Sequence, residues 1–273
     1  MNIAIIGCGY VGYAVAQYWH QKMAFIVSAT TTMPERIPIL QAVAQRVAVI
    51  KGNDPEGLKS VLKNHDAVLL SIGAQGASYE EVYLQTATTI VSVLKQIPSV
   101  GQLIYTSTCS VYGDQKGVLV DEETPVAPLN SNGRILSETE QVLLSASSEQ
   151  LNVCILRLGG IYGPNRELAK IYRRIAGTTR PGNGEEPANW IHLDDIVNAI
   201  EFARRNRLEG IYNLVDDAYL TNREVIERVC ETHNLPKVTW DSSQQSQRSY
   251  NVKVSNKKIK DSGYKLIHPE MIF

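Results

Sequence analysis

Short, nearly continuous apolar runs recur along the first two thirds of the chain, separated by stretches with helical spacing. The runs are Ile3–Ile6, Ala24–Ala29, Val47–Ile50, Ala67–Leu70, Leu103–Thr106 and Val153–Leu156. Runs this short, with little polar alternation, fit strands covered on both faces, as in a parallel sheet. Ser78-Tyr79-Glu80-Glu81 is a capping-box start for a helix with Tyr83, Ala87, Ile90, Leu94 and Ile97 on one face and Pro98 just beyond. Residues 134 to 144 predict a second helix, with Ile135, Leu136, Thr139, Val142 and Leu143 at helical spacing. Strand–helix alternation of this kind predicts an α/β protein with a Rossmann-type doubly wound parallel sheet.

The last third reads differently. Asp194 and Asp195 are placed to cap a helix whose buried face carries Ile196, Ala199, Ile200 and Ala203. Ile211–Val215 predicts a short strand, and Thr221-Asn222-Arg223-Glu224 a second capping box. The stretch 179–188 reads as a loop, and 240–248 as a polar surface connection. The expected division is a main domain over residues 1–165 and a small C-terminal α+β cap over 166–273, with about 188–215 returning to the main domain.

The first apolar run leads directly into Gly7-Cys8-Gly9-Tyr10-Val11-Gly12, followed at once by a helical pattern. This is the order a dinucleotide-binding βαβ unit needs. The first glycine makes the tight turn, the second lets a pyrophosphate approach the backbone, and the third lets helix and strand pack closely. These six residues are the first cofactor candidates. The end of the second strand selects between dinucleotides, because a carboxylate there accepts from the ribose 2′-OH of NAD. Here it reads Ser28-Ala29-Thr30-Thr31-Thr32, with no carboxylate before Glu35 and with Arg36 close behind. Hydroxyls and a guanidinium suit a 2′-phosphate, which tilts the expected cofactor from NAD toward NADP. Asn53 and Asp54 after the third strand, and Ser71-Ile72-Gly73 after the fourth, recur at the same sheet edge and join the cofactor set.

Composition narrows the partners. Lys plus Arg total 27 and Asp plus Glu 28, a net charge of -1, so charge favours neither nucleic acid nor a membrane surface. Cys8, Cys109, Cys154 and Cys230 are scattered, which argues against a disulfide framework and suits the cytoplasm. The five histidines are read as not clustering with cysteines or carboxylates, so no metal set is expected. No apolar stretch approaches the length of a membrane span.

Several segments taken in order resemble the NAD(P)-dependent epimerase/dehydratase family, the extended short-chain dehydrogenases/reductases. They are Tyr105-Thr106-Ser107-Thr108-Cys109-Ser110-Val111-Tyr112-Gly113, Asp121-Glu122-Glu123-Thr124-Pro125, residues 156–164, Trp190-Ile191-His192-Leu193-Asp194-Asp195, and residues 254–264. The resemblance implies nucleotide contacts at Thr106 and Ser107 and a catalytic hydroxyl at Thr108. It also implies a Tyr-x-x-x-Lys pair, in which the lysine lowers the pKa of the tyrosine phenol for general acid–base work. Aligned on Gly133-Arg134, the tyrosine position holds Asn132 and the lysine position Leu136, and neither can do that chemistry. Gln85 stands where the family carries a supporting asparagine. This pattern is similar to the atypical short-chain dehydrogenases/reductases, which keep the nucleotide site and lose the pair.

Other groups could supply an acid or base. Tyr112, Tyr162 and His192 fall in motifs expected near the strand ends, where each could equally pack or hydrogen-bond structurally. Arg157 and Arg166 could meet a substrate phosphate, with a structural ion pair the other reading of Arg157. Two functions follow. One is an oxidoreductase on a sugar-nucleotide-like or other hydroxyl/carbonyl small molecule, with a non-standard proton route. The other is a non-catalytic NAD(P)-binding sensor or regulatory module. Homodimerisation through the two long helices, 79–97 and 134–144, is a further expectation from the resemblance.

Overall fold

The computed structural model describes residues 1–246, 248 and 250–273. Its strands are β1 (Asn2–Ile6), β2 (Ile26–Thr31), β3 (Arg46–Val49), β4 (Ala67–Leu70), β5 (Gln102–Thr108), β6 (Asp114–Val120), β7 (Asn152–Leu158), β8 (Gly160–Tyr162), β9 (Thr179–Pro181), β10 (Trp190–His192), β11 (Gly210–Leu214), β12 (Thr239–Asp241) and β13 (Asn251–Val254). Its α-helices are α1 (Tyr10–Gln21), α2 (Ile37–Gln41), α3 (Pro55–Leu62), α4 (Thr86–Leu94), α5 (Ser131–Leu144), α6 (Leu168–Arg173), α7 (Leu193–Arg205), α8 (Asn222–Thr232) and α9 (Lys257–Asp261). Among the described residues, no helix is long and apolar enough to cross a membrane.

The chain forms two compact units. The first comprises Met1–Ser107, Ser131–Arg157 and Val197–Tyr212. The second comprises Thr108–Asn130, Leu158–Ile196 and Asn213–Phe273. A single boundary near 165 does not describe this division, because the segment after β5 already belongs to the second unit.

The first unit is built on a seven-stranded sheet in the order β11-β7-β5-β4-β1-β2-β3. β2 and β4 flank β1, and β3 and β5 pair with them, all in parallel. Strand order reverses at β1, which creates the crevice where open α/β sheets take ligands. Alternate residues serve opposite faces. Ala4, Ile6, Val68, Leu70, Leu103 and Tyr105 join one buried cluster with Leu58, Ile90 and Leu94 of α3 and α4. On the other face, a Cβ at Gly12 of α1 would lie 3.2 Å from the Ile5 side chain. The buried Trp19 donates its indole N–H to Glu201 at 2.8 Å, and Arg204 grips the same carboxylate.

The expected helix from Ser78 differs in its first turns. Glu80–Gln85 adopt a π-helical turn before α4 begins. Thr88 and Thr89 donate their hydroxyls to the Leu84 and Gln85 carbonyls at the end of this turn.

The second unit is α+β. β6 pairs with β13, β8 with β10, and β9 with β12. Asn189 ties its strands, donating to the Val252 carbonyl and accepting from Val254 N–H at 2.9 Å each. The capping box at Thr221 and Glu224 heads α8 as expected. Asp194 and Asp195 lie inside the first turn of α7, and the Asp195 carboxylate accepts from the Ile267 and His268 N–H groups. Gln247, within the expected connection 240–248, lies outside the described residues.

Candidate functional site

β1 ends at Gly7, whose φ of 84° is left-handed, and a Cβ there would sit 2.6 Å from the Ser71 carbonyl. The turn is anchored to the end of β2. Gly7 N–H donates to Thr30 Oγ1 at 3.0 Å, and Cys8 N–H to the Thr30 carbonyl at 2.9 Å. A Cβ on Gly12 would lie 2.7 Å from the Gly7 carbonyl, so this glycine sets how closely α1 packs on β1. Gly9 is different: a Cβ there meets nothing within 4 Å. Its face of the turn is open, at the start of a helix whose first N–H groups have no helical acceptor.

That open face borders a cavity of about 370 Å³ at the carboxyl ends of β1, β2 and β4. Gly7, Cys8 and Gly9 form one wall, and Thr30, Thr31, Thr32 and Arg36 a second. Asn53, Ser71, Ile72 and Gly73 extend the lining. The structure therefore brings together candidates from four separate loops, those after β1, β2, β3 and β4. The volume is in the range of small-molecule sites. Arg36 spans the cavity edge, donating from Nη1 to the Cys8 carbonyl at 2.7 Å. The Thr30 hydroxyl is committed to Gly7 and that of Thr31 to Met33, whereas Thr32 is exposed. Burial pushes the Cys8 thiol up to about 12 against the opposing pull of Arg36, so it is a neutral packing group.

Six other candidates do not line this cavity. Tyr10, Val11 and Gly12 are taken up in the first turn of α1. Asp54 caps α3, accepting from Gly57 N–H at 3.1 Å. Thr106 donates to Ser71 Oγ, and Ser107 to Glu140. Sequence reasoning missed Met33, Lys51, Glu81 and Val82, which also line the cavity. Lys51 and Glu81 pair at 2.8 Å, and only the acidic start at Ser78-Tyr79-Glu80-Glu81 marked that segment.

A buried polar cluster joins β5, α5 and β7. Glu140 of α5 accepts from Ser107 Oγ at 2.5 Å, and from Arg157 Nε at 3.1 Å and Nη2 at 2.7 Å. Arg157 is 2% exposed, so the ion-pair reading holds and a role on a substrate phosphate does not. On α5, Asn132 is exposed and Leu136 is buried among apolar positions.

The second unit holds the other candidates. Thr108 caps the turn over Cys109–Tyr112, accepting from Ser110 N–H at 3.2 Å. Tyr112 is fully buried, its hydroxyl shared between Asn213 Oδ1 at 2.8 Å and the Asp121 carbonyl at 2.9 Å. It is a strut rather than an acid or base. Tyr162 accepts from Ile272 N–H, and burial pushes its phenol up to about 12. Arg166 is exposed beside a tight bridge to Gly163. His192 is buried, accepts at Nδ1 from Asp194 N–H at 3.2 Å, and has its pKa lowered by burial and by His268. The expectation that no histidine clusters with a carboxylate does not hold for this unit. The fold brings His268, 74 residues beyond Asp194, up to the neighbouring pair His192 and Asp194.

Asp216 is a further group that sequence reasoning missed. It is 3% exposed, with Oδ1 accepting from Ala218 N–H and Oδ2 without a partner among the described residues. Burial, with Asp217 and Asp195 nearby, pushes its carboxyl up to about 7. A raised carboxyl pKa means the folded chain binds a proton the unfolded chain has lost. The stability this gives is complete below the unfolded value and drains away as pH rises through about 7. Asp216→Asn is therefore expected to melt increasingly above the parent as pH rises from 5 to 8, read by calorimetry. An unchanged difference across that range would exclude the shift.

Comparison with known proteins gives a consistent result. The model of the NAD dependent epimerase/dehydratase family matches residues 3–214. Protein YeeZ of Escherichia coli K12 is 30% identical over 226 residues, covering 80% of this chain and 78% of its own. Among solved structures, a functionally unknown conserved protein from Silicibacter pomeroyi superposes with a TM-score of 0.80 at 24% identity, covering 98% of this chain and 94% of its own. A UDP-glucose 4-epimerase from Thermotoga maritima, solved with UDP-glucose, gives 0.82 at 18% identity over 98% and 94% of the two chains.

Proposed function

Because the chain belongs to the NAD-dependent epimerase/dehydratase family, we propose that it binds a nicotinamide dinucleotide, NADP in preference to NAD, in the cavity beside Gly9. There it serves an oxidoreductase that acts on a sugar-nucleotide-like or other hydroxyl/carbonyl substrate. The open Cβ position of Gly9 carries the binding assignment, since it leaves room for a group pressed against the backbone at a helix start. Bound there, the dinucleotide supplies hydride chemistry. The chain's own residues hold and discriminate it. Thr32 and Arg36 supply a hydroxyl and a fixed positive charge where an NAD site would present a carboxylate. Arg36→Ala is expected to weaken NADPH binding by roughly tenfold or more, the loss of a charge-assisted hydrogen bond, and to leave NADH nearly unchanged in a fluorescence titration. Tighter binding of NADH than NADPH by the parent chain would overturn the NADP assignment.

The proton route is non-standard in this proposal. Asn132 is exposed and untitratable, Leu136 is buried, and the Tyr112 hydroxyl is committed. Thr108 keeps a hydroxyl at the position the resemblance marks, and substrate or water supplies the remaining transfer. The same three residues favour the second reading, a non-catalytic NAD(P)-binding sensor. Turnover of NADPH or NADP with a panel of sugar nucleotides and simple carbonyls, abolished by Gly9→Val, supports the enzyme. Tight binding without turnover across the panel supports the sensor.

A further inference from the structure

We propose that His192, Asp194 and His268 form a site for one zinc-like divalent cation in the second unit, with a fourth coordination position left to water or a small ligand. Their ligand atoms all lie within 4.8 Å of one another. Zinc with nitrogen and oxygen ligands at about 2.0–2.1 Å in tetrahedral geometry needs ligand atoms roughly 3.3 Å apart. His268 Nε2 lies 3.2 Å and His192 Nδ1 3.5 Å from Asp194 Oδ2, so two edges of the ligand triangle already have that length. The remaining edge, between the two histidines, is at most 4.8 Å, and the His268 side chain is 22% exposed.

The three ligands are held in place by other parts of the unit. His192 ends β10, buried edge-on against the Tyr162 ring at 5.1 Å and against His268 at 4.2 Å. Because Asp194 N–H donates to Nδ1, that nitrogen carries the lone pair and the proton sits on the other ring nitrogen, the tautomer a metal at Nδ1 requires. At 3.2 Å the bond is long, and a metal at Nδ1 replaces it. His268 comes from 74 residues beyond Asp194. It is positioned by the buried Asp195, whose carboxylate accepts from Ile267 N–H at 2.6 Å and His268 N–H at 3.0 Å. Tyr264 braces the same aspartate by donating to its carbonyl at 2.8 Å. Asp194 is 53% exposed, which opens the cluster to entry from solvent.

Charge and ligand type both select the ion. A cation at the start of α7 is opposed by the helix dipole, and the carboxylates of Asp194 and Asp195 in that first turn outweigh it. Two imidazoles with one carboxylate suit zinc and its neighbours, whereas magnesium and calcium need oxygen ligands. Three protein ligands leave the fourth position open. The ion would cross-link the end of β10 and the start of α7 to the segment carrying His268.

The test uses the full chain, stripped with a chelator and titrated with Zn²⁺, with Co²⁺ as a visible reporter. One equivalent should bind at micromolar concentration or below, raise the Tm, and give the intense absorption of tetrahedral cobalt. His268→Ala and Asp194→Asn should each weaken binding at least about tenfold. Neither removes a buried apolar group, and melting of the metal-free variants near the parent Tm would confirm that they fold. Absence of saturable binding at one equivalent, an octahedral cobalt spectrum, or equal affinity in His268→Ala would overturn the site.

Discussion

Gly9→Val is expected to weaken NADPH binding by about a hundredfold or more while moving the melting temperature very little. A hundredfold is about 2.7 kcal/mol, a modest demand for a branched side chain placed where a pyrophosphate must touch the backbone. Folding should be insensitive because a Cβ at Gly9 meets no atom within 4 Å and φ there is -79°. The neighbouring glycines supply the contrast. At Gly7 the Cβ would press on the Ser71 carbonyl from a left-handed backbone, and at Gly12 it would press on the Gly7 carbonyl. Valine at either position should lower the Tm sharply as well as abolish binding. A fluorescence titration and a thermal melt on the three variants separate the roles. Near-parent affinity in Gly9→Val would place the dinucleotide somewhere other than this cavity.

Removing one partner of the Glu140–Arg157 pair should be among the most damaging single changes to stability. Both side chains are buried, and Glu140 also holds the Ser107 hydroxyl. Arg157→Ala or Glu140→Ala leaves a charge in the interior without its counter-ion, at a cost of about 3–5 kcal/mol. For a chain of this size that lowers the Tm by roughly 10 °C. Replacing both, as Glu140→Leu with Arg157→Met, should recover most of the loss, because the desolvation penalty of both ions disappears together. Denaturant unfolding of the two single variants and the double variant measures the coupling. Additive losses would show that the pair carries no special interaction energy.

The central sheet was legible because its strands are buried on both faces. Ala67–Leu70 is apolar at every position and is strand at those same residues. β6 was not, since Asp114–Val120 alternates irregularly and turns through left-handed Lys116 and Gly117. Its partner β13 lies far along the chain, and the register slips between Asn251 and Lys253, so no local pattern marks the pair. The cavity was half legible. Its glycine turn and the Thr30–Arg36 edge follow from one βαβ unit. Glu81 and Val82 reach it from a π-helical turn that no hydrophobic period encodes. Tyr112 sits in a motif shared with the family, but whether a hydroxyl is free or committed depends on Asn213, which sequence does not place beside it. The burial of Asp216, and the approach of His268 to His192 and Asp194, were invisible for the same reason.

The interleaving of the two units bears on how the chain matures. The segments of the first unit are not complete until Tyr212, by which point two of the three segments of the second unit, Thr108–Asn130 and Leu158–Ile196, have already been made. Neither unit is a continuous stretch that a ribosome could release and let fold first. Neither unit can therefore be completed before part of the other has been made, unlike the usual unit-by-unit order of multidomain folding. Its β7 and β11 join the sheet across long separations in sequence, pairings of the kind that slow folding.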